Sequence, residues 1–270
     1  MKGSGYVHGY EDREHVRLYD QASTLVELLH SDTHYKPGSH VLEAGCGVGA
    51  QTVILAGNSP GAHFTSVDIS RSSLIEAEKK VRDAGFKNVS FLQGDIFDLE
   101  FDRESFDHIF VCFVLEHLSD PLKALLSLNQ YLKAGGTVTV IEGDHGSTHF
   151  HPHNESSHKA INCQVELQRR TGGNANIGRE LYPLLSEAGY VSVTVSPRTV
   201  YVDASRPQLV EGFIKNTFTA MIKGVRKPSL EEGLIDAQTF DEGIEGLYRT
   251  AEKDGVFSYT FYKAVAFRPG

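Results

Sequence analysis

From Tyr10 to His30, apolar residues recur at Leu18/Tyr19, Ala22, Leu25/Val26 and Leu28/Leu29. That spacing predicts a helix with one buried stripe, and Pro37-Gly38 ends the segment. The pattern then changes. Val41-Leu42-Glu43-Ala44 reads as a strand running into Gly45-Cys-Gly-Val-Gly49, and Gln51 to Ala56 as a helix that stops at the Gly57-Asn-Ser-Pro-Gly61 turn. His63 to Val67 predicts a second strand ending at Asp68. Ser70 is placed to cap a helix carrying Leu74, Ile75, Ala77, Val81 and Ala84, with Gly85 closing it. Val89 to Leu92 predicts a third strand, ending at Gly94-Asp95. Phe106 to Leu115 is almost continuously apolar, as a strand buried on both faces would be. Ser119-Asp-Pro121 then opens a helix with Leu122, Leu125, Leu126 and Leu132 on its stripe, and Gly135-Gly136 turns into a strand over Thr137 to Ile141.

Strands alternating with helices imply a parallel, doubly wound sheet, because parallel neighbours need crossover connections. Further on, 155–171 and 177–188 read as helical, while Tyr190 to Val202 and Val256 to Phe267 alternate like half-buried strands. The expectation is one α/β domain with a seven-stranded, mostly parallel sheet and an antiparallel C-terminal edge pair. An N-terminal helical segment (1–37), a ligand-binding core (38–145) and a late helical insertion (203–255) complete it.

The 26 basic and 35 acidic residues leave a formal charge of -9. That is a poor match for a polyanion, so nucleic acid and anionic membrane surfaces are not expected partners. No apolar run approaches the roughly 18 residues of a membrane span, and the first ten residues lack a signal-peptide core; a cytoplasmic location is expected. Cys46, Cys112 and Cys163 have no paired or metal-ligand spacing and read as free thiols.

A glycine-rich turn between a first strand and its helix lets backbone N–H groups and the positive helix end approach a ligand, since no Cβ intervenes. Gly45-x-Gly47-x-Gly49 is such a turn. Asp68 lies 23 positions beyond Gly45, where a carboxylate can accept both hydroxyls of a ribose. The two features favour an adenosine-containing ligand, and Gly45-x-Gly47-x-x-Ala50 also fits the loose dinucleotide pattern. Glu43 argues against a dinucleotide: a carboxylate there repels a pyrophosphate and attracts an ammonium group. Gly94-Asp95-Ile96 offers a side-chain acceptor to an exocyclic adenine amine and a backbone N–H to a ring nitrogen.

These stretches resemble the class I S-adenosylmethionine-dependent methyltransferases. The matching segments are VLEAGCGVGAQT (41–52), SVDIS (66–70), GDIFDL (94–99), FDHIFVCFVLEHL (106–118) and LKAGGTVTVIE (132–142). The likeness covers about residues 38–145 and is strongest to the small-molecule branch that includes quinone-biosynthesis enzymes. It implies a Rossmann-like fold, S-adenosylmethionine as cofactor, and a small organic acceptor methylated at O, N or C. It further implies that Gly45 and Gly47 lie under the methionine part and that Glu43 holds the amino group. Asp68 would take the ribose, and Asp95 and Ile96 would frame the adenine. Phe113 would sit near the sulfonium, with Cys46, Ile69 and Gly94 lining the same site.

Glu142-Gly-Asp144-His145-Gly146 follows the fifth predicted strand, so its side chains should overhang the transfer site. His145 is the candidate base there, with a loop hydrogen bond or helix cap as its structural alternative. His117, just past another strand end, is the second candidate. The run from His145 to His158 predicts a polar loop: His149, His151 and His153 alternate, but Pro152 interrupts a strand and no carboxylate or thiol accompanies them at a familiar ligand spacing, so no metal is expected. Tyr6, Tyr10, Arg17 and Tyr19 could close over the cofactor as a lid. Phe213, Phe218, Phe240 and Tyr248 could wall an apolar acceptor pocket or simply pack. An NAD-type dehydrogenase and a non-catalytic cofactor-binding module are the rival readings.

Overall fold

The structure, a computed structural model, describes residues 24–270. The candidate lid residues Tyr6, Tyr10, Arg17 and Tyr19, and the helix expected before residue 24, lie outside that range. Seven strands form one sheet: β1 (His40–Ala44), β2 (His63–Asp68), β3 (Val89–Gln93), β4 (Phe106–Cys112), β5 (Leu132–His151), β6 (Val191–Asp203) and β7 (Val256–Phe267). Their order is β3-β2-β1-β4-β5-β7-β6. Neighbours among β1 to β5 are parallel, and β7 runs antiparallel to both β5 and β6, which puts β6 at the edge.

The helices are α1 (residues 24–30), α2 (Ala50–Asn58), α3 (Arg71–Asp83), α4 (Pro121–Asn129), α5 (Glu155–Arg170) and α6 (Leu181–Glu187). Between β6 and β7 come α7 (Pro207–Leu209), a π-helical run Val210–Thr219, α8 (Ala220–Gly224), α9 (Arg226–Glu231) and α10 (Ala237–Arg249). Helix starts follow side-chain chemistry. Ser70 accepts the Ser73 N–H at α3, Asp120 the Lys123 N–H ahead of Pro121 at α4, and Asn154 the Ser157 N–H at α5.

Strand alternation sorts the interior into two layers. Val41, Phe64, Phe110 and Ile141 face one side, where α1, α2, α5 and the helices of 207–249 pack. Leu42, Val67, Ile109, Val111, Val138 and Val140 face the other, against α4 and α6. The end of α1 is fastened to the first face by Lys263 of β7. Its buried ammonium donates to the Leu29 carbonyl at 3.1 Å, Thr33 Oγ1 at 2.6 Å and Asp32 Oδ1 at 2.5 Å, and Arg198 of β6 pairs with the same Asp32.

Three expectations need correction. Leu132, expected on the stripe of α4, opens β5 instead, because α4 ends at Asn129. The fourth strand stops at Cys112 instead of running to Leu115, because Phe113 turns the chain with φ 57° and a 3-10 turn, Leu115–His117, follows. The stretch after Ile141 is strand, not loop: β5 continues to His151 because β7 is long enough to pair with it, through Asp144↔Thr260 and, past an irregularity, His149↔Ser258 and His151↔Val256. His158 lies in α5. β5, β7 and β6 therefore rise together beyond the C-terminal ends of β1 and β4.

The π-helical run explains how two aromatic residues share one face. Five positions apart, Phe213 and Phe218 would diverge by about 140° on an α-helix but by only about 50° with the wider i→i+5 turn. Both rings pack on β7, Phe213 against Phe257, Tyr259 and Phe261 and Phe218 against Phe257 and Tyr259.

Candidate active site

In a doubly wound sheet, ligands bind beyond the carboxyl ends of the strands where the winding direction reverses. Here that point lies between β1 and β4. The chain leaves β1 outward through β2 and β3, then returns to lay down β4 and β5 on the other side. The glycine loop and the turn after β4 flank this crevice.

Gly45, Gly47 and Gly49 all adopt positive φ, but for different reasons. A Cβ on Gly45 would collide with Val114 of the turn after β4, and one on Gly49 would lie 2.8 Å from Ala77 of α3. A Cβ on Gly47 would meet nothing within 4 Å. The first and third glycines thus pack the loop against its surroundings, while the second leaves an open cradle above the N-terminus of α2.

Glu43, at the end of β1, is 2% exposed, and the hydroxyls of Thr52 and Ser66 both donate to its Oε2, at 2.7 and 2.6 Å. Burial pushes its carboxyl up to about 7, against the pull of those two bonds. Asp68 caps β2 and ties the loop to α3: Oδ2 accepts the Gly47 N–H and Oδ1 the Ser70 N–H, both at 2.8 Å. Each oxygen keeps a second lone pair, and burial pushes this carboxyl up as well. Ile69, next along, is 60% exposed, an apolar side chain left uncovered beside the cradle. At the end of β3 the Gly94 N–H donates to the Asp68 carbonyl at 3.1 Å, and Asp95 Oδ1 accepts the Phe97 N–H at 3.0 Å. Ile96 packs against the second core layer. Cys46 is buried, its thiol pushed far up by burial, so it fills space in the loop and offers no thiolate.

Phe113 closes the crevice from the β4 side. Its left-handed backbone is costly for a bulky residue and is held by an N–H bond to the Ile141 carbonyl at 2.9 Å, while its ring lies 5.6 Å from that of Phe261.

Sequence reasoning placed His145 on an overhanging loop; it is a buried residue of β5. Its Nδ1 lies 3.0 Å from the Ala175 carbonyl and 3.2 Å from the Tyr259 hydroxyl. A carbonyl can only accept, so Nδ1 carries a hydrogen and donates it. His117 lies beside Glu116 and Gln168, with its Nε2 3.7 Å from the Glu116 carboxylate. Glu142, which the sequence marks only as the end of a motif, accepts the N–H groups of Val114 and Leu115; the partners lie 28 and 27 positions away, and no local pattern announces such a contact. Among the described residues, no group of three His, Cys, Asp or Glu side chains is arranged to hold a metal ion, and no helix is long and apolar enough to cross a membrane.

The crevice fits an adenosyl sulfonium amino acid, with an open cradle at Gly47, carboxylates at Glu43, Asp68 and Asp95, and an exposed apolar residue at Ile69. Comparison with known proteins agrees. A family model described as a methyltransferase domain matches residues 35–189, more than half of the chain. A demethylmenaquinone methyltransferase of Bacillus subtilis is 27% identical over 146 residues, 50% of this chain and 62% of that relative. The match thus spans less than two thirds of the relative. In fold, the chain is similar to a phosphoethanolamine N-methyltransferase of Haemonchus contortus with S-adenosylhomocysteine bound, at TM-score 0.56 and 18% identity over 93% of this chain and 53% of the other. It is also similar to the YcgJ protein of Bacillus subtilis, at TM-score 0.58 and 16% identity over 95% and 99%. The chain belongs to the class I S-adenosylmethionine-dependent methyltransferases, a class whose cofactor is S-adenosylmethionine.

Proposed function

We propose that the protein moves a methyl group from S-adenosylmethionine to an O, N or C atom of a small organic acceptor. The observation that carries this reading is the convergence of Glu43, the Gly47 cradle, Asp68 and Asp95 on one edge of the sheet at its winding reversal. The cofactor supplies a methyl group already activated by a positive sulfur. Glu43 holds the amino end, Asp68 accepts from the ribose, and Asp95 with Ile96 frames the adenine. Phe113 borders the transfer site and, with Phe261, excludes water from it.

The extension of β5, β7 and β6 and the helices of 207–249 form the acceptor side. Phe213, Phe218, Tyr259 and Phe261 pack into one buried aromatic cluster behind that side, an apolar backing that supports an apolar acceptor, in keeping with the quinone-directed relative. Where the acceptor must lose a proton, His145 is the base, its ring oriented by the Nδ1 hydrogen bond to the Ala175 carbonyl. Replacing His145 with alanine should lower turnover of such an acceptor about 100-fold while the cofactor dissociation constant stays within about threefold. Unchanged turnover from pH 6 to 9 would remove the histidine from this role.

A thermal melt with S-adenosylmethionine, S-adenosylhomocysteine and NAD tests the cofactor. Ligand at about one hundred times its dissociation constant adds roughly 2.7 kcal/mol, a rise of several degrees for a chain of this size. A rise with both adenosyl-sulfur compounds and none with NAD is expected; the reverse pattern would return the chain to the dehydrogenase reading. Turnover of a methyl acceptor separates the enzyme from a non-catalytic binding module.

A further inference from the structure

We propose that Glu142 is a positioning residue for methyl transfer: from β5 its buried carboxyl holds the backbone of Val114 and Leu115, and so fixes Phe113 and Val114 against the glycine loop. The inference rests on the methyltransferase reading of the site. Glu142 is fully buried, and its Oε1 accepts the Val114 N–H at 3.0 Å and the Leu115 N–H at 2.7 Å. The carboxyl thus caps the 3-10 turn from a distant strand, meeting N–H groups that the turn cannot satisfy itself. Its neighbour Ile141 takes the Phe113 N–H, so two consecutive residues of β5 hold three consecutive residues of the turn.

The turn is also gripped from the far side, where the Glu116 carbonyl accepts the Asn174 N–H and a Gln168 amide hydrogen, both at 2.8 Å. Val114 in turn presses on Gly45 so closely that a Cβ there has no room. Glu142 therefore acts on the cofactor loop through Val114 and on the transfer site through Phe113, without touching either ligand. Its Oε2 is buried with no hydrogen-bond partner, and burial together with Glu116 pushes the carboxyl well up. Glutamine keeps the Oε1 acceptor in nearly the same volume.

The test uses [methyl-13C]S-adenosylmethionine with wild type, Glu142→Gln, Glu142→Met and Val114→Ala. Glu142→Met keeps the volume and loses the acceptor. It should weaken cofactor binding about tenfold or more and displace the bound methyl 13C resonance. Glu142→Gln should restore both the affinity and the resonance. Val114→Ala should reproduce the Met phenotype in a protein whose core is intact, which decides the matter where Glu142→Met fails to fold. Wild-type affinity and resonance in a folded Glu142→Met, or in Val114→Ala, would overturn the proposal. Failure of the wild type to bind S-adenosylmethionine would instead overturn the methyltransferase reading.

Discussion

Asp68→Ala is expected to weaken S-adenosylmethionine and S-adenosylhomocysteine binding by about three orders of magnitude. Two hydroxyl donors on one ionised acceptor are worth roughly 3–6 kcal/mol, and each 1.4 kcal/mol is about tenfold. The same carboxylate holds the Gly47 and Ser70 N–H groups, so its loss also frees the cradle that the ligand must find already formed. Asp68→Asn is the milder change: its one carbonyl oxygen can keep only one of the two N–H groups, and without charge, so an intermediate affinity follows. Isothermal titration of each variant gives the affinity, and the ligand-free melting temperature shows how much of the change is structural. A folded Asp68→Ala with wild-type affinity would remove the ribose assignment, and with it the reason for placing the adenosine in this crevice.

The proposed cofactor half of the site could be drawn from the sequence because each of its candidate residues sits next to a local signal. Glu43, Asp68 and Asp95 end strands that the hydrophobic alternation marks, and the glycines mark the turn. The acceptor half could not, for two reasons. Residues 142–151 carry glycine, histidine and hydroxyl side chains, so they do not alternate like a strand. They become one because β7, more than a hundred positions later, supplies the pairing partner. The other reason is range. Glu142 finds its donors 27 and 28 positions away, and Lys263 reaches Asp32 and Thr33 across 231 and 230. A motif names such residues without saying what they hold. The π-helical run was likewise hidden, since its register is set by the fit of Phe213 and Phe218 onto β7.

Glu43→Gln is expected to be more stable than wild type in alkaline buffer and poorer at holding the cofactor. The carboxyl titrates at about 7 in the folded protein, raised by burial from a value near 4.5. A folded value above the unfolded one favours the protonated form on folding. Its contribution is therefore complete below about pH 4.5 and is lost as pH rises through about 7. At 1.36 kcal/mol per pH unit, the gap amounts to about 3 kcal/mol by pH 8. Glutamine suffers no such loss and can still accept from Thr52 and Ser66. The variant should therefore melt several degrees higher than wild type at pH 8, with the difference vanishing near pH 4.5. On the proposed reading, a buried carboxyl that weakens the ligand-free protein at neutral pH has a ready function in meeting the cofactor's amino group. An ammonium beside it favours the ionised form, so binding below pH 7 must eject a proton. Affinity should then climb by up to about tenfold per pH unit from pH 5 to about 7, a range in which an α-amino group stays charged. Calorimetry at pH 6 in two buffers of different ionisation enthalpy should show release of close to one proton by wild type and none by Glu43→Gln. Tight binding by wild type with no proton released and no pH dependence would mean that Glu43 does not meet the amino group, even though the cofactor is right.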